Sequence, residues 1–102
     1  MLRIYGVVIE VVREMRPVVA SIERHDKALG QQMRNAMSSV ALNLCEGSGS
    51  KAGTRTQRYR DALGSAEETR ACVHVAEAWG YVGAIDLDKL DHVIRTITKL
   101  VK

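Results

Sequence analysis

The chain has no phenylalanine, one tryptophan and three tyrosines in 102 residues. A core built from this sequence is aliphatic and rich in alanine and methionine, which suits closely packed helices. There is one proline, Pro17, and no run of β-branched residues bounded by turn signals, so strands are not expected. Cysteine is scarce as well. Cys45 and Cys72 both fall within helical pattern, and there is no CxxC pair or disulfide framework. The simplest setting is a reducing cytoplasm, with both thiols expected as buried small hydrophobes. Long apolar runs are missing too. The N-terminal stretch is interrupted by Arg3, Glu10, Arg13 and Glu14 and reads as neither signal peptide nor membrane span.

What remains is a chain of 46% hydrophobic and 26% charged residues, enough to bury one core over a single domain, residues 1–102. So small a domain has a thin core, and burial in a homo-oligomer would help it. The net charge of +3 is unevenly placed. Lys51, Arg55, Arg58 and Arg60 occur within ten residues that contain no acid, so the rest of the chain is slightly acidic.

Apolar spacing of three and four marks four helices. The first is expected from about Leu2 to Arg24, with Ile4, Val8, Val11, Met15, Val18 and Ile22 as its seam. Pro17 removes one backbone hydrogen bond there, predicting a kink near Arg13 to Arg16; the alternative is a break into two helices. Asp26 can cap a second helix running to about Ser48, with Leu29, Met33, Met37, Val40 and Leu44 inside. Gly30 near its start is either a weak point or a close-contact site. Ser48 to Gly53 reads as a flexible loop. A capping box, Thr54-Arg55-Thr56-Gln57, is expected to open helix 3, which Gly80 stops after Trp79. Tyr59, Ala62, Leu63, Ala66, Val73 and Ala76 form its seam. Asp86 is expected to cap helix 4, whose seam is Leu87, Leu90, Ile94, Ile97 and Val101. Four amphipathic helices with short links predict an all-α, antiparallel up-down-up-down four-helix bundle, its first helix kinked at Pro17.

Beside the apolar seam of helix 2 runs a polar row, Ser39, Asn43 and Glu46, within about 60° of one another on the helix. Small hydrogen-bonding groups in place of Lys and Glu point to contact with another helix or another chain. The alternative is bonding within the helix and solvation of its end. Gly47 follows as part of the helix end. The basic residues Lys51, Arg55, Arg58 and Arg60 have two readings, a solvated helix start or a phosphate contact without sequence preference, to which Arg34 can add from helix 2. Cations in a first turn oppose the helix dipole, which favours a functional reason.

No catalytic constellation emerges. Glu46 to Lys51 lacks the spacing of a phosphate-binding loop, and no Ser/His/Asp set is suggested. No Glu-x-x-His occurs, as a di-iron bundle would need, and His74 with Glu77 is a single reversed pair. Neither a metal nor another cofactor is expected, and His25, His74 and His92 read as surface or interface residues.

The stretch Ser39 to Gly47, SVALNLCEG, resembles the S-[V/I]-x-x-N-[I/L]-[A/C]-E-G signature of bacterial four-helix bundle proteins first described as encoded in intervening sequences of large-subunit ribosomal RNA genes. The lead-in Gln32 to Ala36, the segment Arg58 to Glu68 and the helix end Trp79-Gly80-Tyr81 match in the same order, together spanning about Leu29 to Val82. Tyr5 followed by Pro17 in a long first helix is similar to a sister group, the accessory variability determinant (Avd) proteins of diversity-generating retroelements. The family often has Arg-Arg where this chain has Arg34-Asn35, which lowers the charge. The resemblance implies a bundle assembled as a ring-like homopentamer. In the Avd group it implies a basic barrel that binds nucleic acid and a reverse transcriptase and has no catalytic activity.

These readings together predict a cytoplasmic, non-enzymatic oligomeric scaffold. Its nucleic-acid contacts are expected at Arg34, Lys51, Arg55, Arg58 and Arg60, and its interface or structural residues at Ser39, Asn43, Glu46 and Gly47. The alternative is a ring-like protein–protein adaptor that does not bind nucleic acid.

Overall fold

A computed structural model of the protein describes residues 2–102. It has four helices: α1 (Arg3–His25), α2 (Lys27–Ser48), α3 (Ala52–Trp79) and α4 (Asp88–Leu100). There is no strand among the described residues. Each helix packs on its neighbours in the chain, with α2 against α3 the most extensive contact, and α4 closes back onto α1. The result is a four-helix bundle. At 1.5 Å per residue the 28 residues of α3 span about 42 Å, and the long dimension of the molecule is 42 Å. α3 therefore sets the length, while α4, with 13 residues, covers only part of it.

The apolar spacing becomes the core as expected, with local shifts. Ile4, Val8, Val11, Met15 and Ile22 are buried on α1, but Val19 takes the place given to Val18, which is only half-buried. α2 buries Met33, Ala36, Met37, Val40, Ala41 and Leu44, and α4 buries Leu90, Val93, Ile94 and Ile97. On α3, small residues let the neighbours approach: Ala62, Ala66 and Ala76 are fully enclosed. Thr69 is the one buried polar residue among those described, and its hydroxyl donates to the Ser65 carbonyl at 2.9 Å. α1 runs unbroken through Pro17, so the break into two helices does not occur.

Helix ends follow their chemistry, with two corrections. Asp26 caps α2 by accepting from the Leu29 N–H at 3.0 Å. Gly80, at φ 78°, ends α3, with the Tyr81 N–H donating to the Ala76 carbonyl at 2.9 Å and the Gly80 N–H to Glu77 at 3.0 Å. The capping box at Thr54 does not form. α3 begins two residues earlier, at Ala52, without any side-chain cap. Thr54 lies inside the first turn rather than at the cap, and Gln57 reaches forward to Asp61, so the two do not pair as a box. The expected flexible loop shrinks accordingly to Gly49–Lys51. Asp86 accepts from the Asp88 N–H at 2.9 Å, but the residue at the cap of α4 is Leu87.

Polar contacts fix the remaining geometry. Ser21 donates to the Tyr81 carbonyl at 3.1 Å, tying the α3–α4 connection to α1. Lys89 on α4 reaches Glu14 at 2.6 Å and Glu10 at 3.4 Å on α1, and the hydrogen bond to Glu14 in particular holds its ammonium above the usual lysine range. Among the described residues no helix is long and apolar enough to cross a membrane.

Candidate nucleic-acid interface

The polar row of α2 faces α3. The Ser39 hydroxyl accepts from Ser65 on α3 at 2.9 Å and from the Asn43 side-chain amide, also at 2.9 Å. Asn43 donates to the Ser39 carbonyl as well. One turn on, Glu46 pairs with Arg58 at 3.2 Å, and at the other end Gln32 donates to Glu68 at 3.3 Å. These contacts pair α2 and α3 in reverse order.

Gly47 explains how α3 comes so close. A Cβ there would lie 2.5 Å from Cε1 and 2.8 Å from Cδ1 of the buried Tyr59 ring, and 3.2 Å from the Arg58 Cβ. Only glycine leaves room for that ring. Gly30 is likewise a close-contact site rather than a weak point, since an added Cβ would overlap the side chain of Glu23 on α1.

The seam between Gly47 and Tyr59 places the basic start of α3 beside the end of α2. Lys51, Arg55 and Arg60 are exposed and form no ion pair among the described residues. Arg55 donates to the Ser50 carbonyl at 2.9 Å, which leaves its charge uncompensated. Arg58 differs, because Glu46 neutralises it. The first turn of α3 has no acidic residue and no side-chain cap, so its free N–H groups and its cations point the same electrostatic way. An anion would satisfy both.

Arg34 does not join this cluster. It lies 14 residues before the end of α2, about 20 Å along the helix, and faces α1, where it pairs with Glu23. There it lines a groove of about 650 Å³ with Arg13 and Arg16, over a floor that includes Val12, Pro17 and Met37. Arg13 and Arg16 form no ion pair among the described residues. Sequence reading missed this second basic surface because its members are remote in the chain. Their three-residue spacing on α1 was the available signal.

Cys45 corrects another expectation. It is exposed, one residue past the inward-facing Leu44 and so turned about 100° out of the seam. Cys72 is buried, and burial pushes its thiol up, with Glu68 adding to the shift. Among the described residues no group of three or more His, Cys, Asp and Glu side chains is placed to hold a metal ion.

The family described as 23S rRNA-intervening sequence protein matches the chain over residues 1–102, and the chain belongs to that family. Comparison with curated proteins and with solved structures gave no match.

Proposed function

We propose that this member of the 23S rRNA-intervening sequence protein family is a non-enzymatic scaffold that binds nucleic acid, either RNA or an RNA–DNA intermediate, through the start of α3. One observation carries the reading: Lys51 and Arg55 are exposed cations without ion-pair partners among the described residues at a helix start that lacks a cap, with Arg60 exposed further along α3. Cations beside an uncapped helix start oppose the helix dipole, so an external polyanion accounts for them. Binding there is electrostatic and independent of base sequence. Arg34, Arg13 and Arg16 offer a second contact across the α1–α2 groove. Assembly as a homopentamer, service to a reverse transcriptase and a cytoplasmic location complete the proposal and rest on the resemblance to Avd proteins and on the reduced cysteines.

A second reading, a ring-like protein adaptor, draws on the exposed apolar residues Leu42 (61%) and Val75 (44%). Light-scattering mass with and without a short RNA–DNA hybrid at low salt separates the two. A mass near five protomers that rises with the hybrid and falls back on adding salt supports the scaffold. A ring that ignores the hybrid at every salt concentration favours the adaptor. A monomer sinks the pentamer proposal.

A further inference from the structure

Three of the chain's few rings meet at one end of the bundle. His25, the last residue of α1, stacks on Tyr81 with ring centroids 5.1 Å apart and planes 13° from parallel. Tyr81 in turn stacks on Trp79, the last residue of α3, at 6.3 Å and 15°. The order His25–Tyr81–Trp79 gives a short column of near-parallel rings, and it ends in open solvent, since Trp79 is 70% exposed.

This column is held from both sides. His25 Nδ1 lies 3.0 Å from the Ser21 carbonyl, and Ser21 donates to the carbonyl of Tyr81. The backbone of Tyr81 is fixed by the closing hydrogen bond of α3. A large apolar side chain left exposed on a braced mount calls for a flat partner on its free face.

Charge identifies that partner. Exposed Arg24 and Lys27 flank His25 in the α1–α2 turn. Neither cation forms an ion pair among the described residues: Glu23 pairs with Arg34, Asp26 turns to the Leu29 N–H as the cap of α2, and Glu77 accepts from the Ile85 N–H at 3.4 Å. A flat apolar surface beside exposed, unpaired cations fits a base joined to phosphates.

We propose that the His25–Tyr81–Trp79 column is a stacking platform for an unpaired nucleobase, with Arg24 and Lys27 attracting the adjoining phosphates. The proposal rests on the nucleic-acid reading above but adds a site of different chemistry. The platform lies at the opposite end of α3 from Lys51, about 42 Å away by helix length. It selects single strands, because the bases of a duplex are already stacked on one another.

Trp79 is the only tryptophan in the chain, so its fluorescence reports this site alone. Twelve-nucleotide oligouridine and a twelve-base-pair RNA duplex are titrated in turn at low salt. The expected result is quenching by the single strand and none by the duplex. Trp79→Ala should weaken oligouridine binding, measured by anisotropy, about tenfold and leave duplex binding unchanged, while Trp79→Phe keeps most of the affinity. Single-strand binding with unmoved emission overturns the platform and leaves the nucleic-acid reading intact. If neither RNA binds, that reading fails, and millimolar uridine monophosphate then decides the platform by whether it quenches Trp79. A changed light-scattering mass in Trp79→Ala makes the column a contact between copies of this chain and overturns the proposal.

Discussion

Two basic surfaces of this molecule arise in opposite ways. At the start of α3 four cations sit within ten residues, and the cluster is visible in the sequence. In the α1–α2 groove Arg13, Arg16 and Arg34 come from two helices, and only packing brings them together. The two surfaces also differ in compensation. The first loses Arg58 to Glu46 and keeps three free cations, whereas the second loses Arg34 to Glu23 and keeps two. A charge run overstates its available charge when the neighbouring helix carries an acid at the right register. A dispersed set escapes notice for the converse reason.

Four measurements test the two surfaces and the contacts that place them. The largest effect is expected from Lys51, Arg55 and Arg60 replaced together by Ala. Nucleic-acid affinity at low salt should drop by more than about tenfold, and the slope of log K against log salt should flatten by about two to three. A larger loss from Arg13→Ala with Arg16→Ala would reverse the ranking of the two surfaces.

Next in size is Gly47→Ala, which wedges a methyl group against the buried Tyr59 ring and should cost about 1–3 kcal/mol in denaturant unfolding. Gly64→Ala is its control. Nothing lies within 4 Å of that added Cβ, and this helical position should gain up to about 1 kcal/mol. Equal behaviour of the two would remove the close approach that sets the α3 start beside α2.

Ser39→Ala removes the acceptor shared by Ser65 and Asn43 and should cost about 1 kcal/mol by the same assay. An unchanged midpoint would mean that water replaces the pairing and that the row does not fix the register of α3. The smallest effect belongs to Glu23→Gln. It frees Arg34 with a stability change of about 1 kcal/mol, because Arg34 is exposed and Glu23 only half-buried. If the groove takes part in binding, affinity should rise about two- to threefold at low salt. An unchanged affinity would confine binding to the α3 start.

Much of the fold was legible because helical burial is periodic. The seams of α1, α2 and α4 follow three-and-four spacing, and Asp26 and Gly80 act where side-chain chemistry predicts. The capping box at Thr54 misled because three-residue spacing of Thr and Gln occurs inside helices as readily as at their starts. Here Gln57 found Asp61 one turn on. Cys45 misled because one residue past a buried leucine is enough to turn a thiol outward. The candidate site was half legible. Lys51, Arg55 and Arg60 keep the exposure their sequence suggests, while the partners of Arg34 and Arg58 depend on which helices touch.

By itself the sequence determined that this is a four-helix, aliphatic-cored protein with a basic segment at the start of its third helix. Those properties follow from local periodicity and composition, which need no knowledge of neighbours. Only the tertiary structure decided which cations are free, why Gly47 is a glycine, that Arg13 and Arg16 join Arg34, and that His25, Tyr81 and Trp79 form one column. Each of these depends on contacts between residues far apart in the chain, and such contacts exist only once the helices have packed.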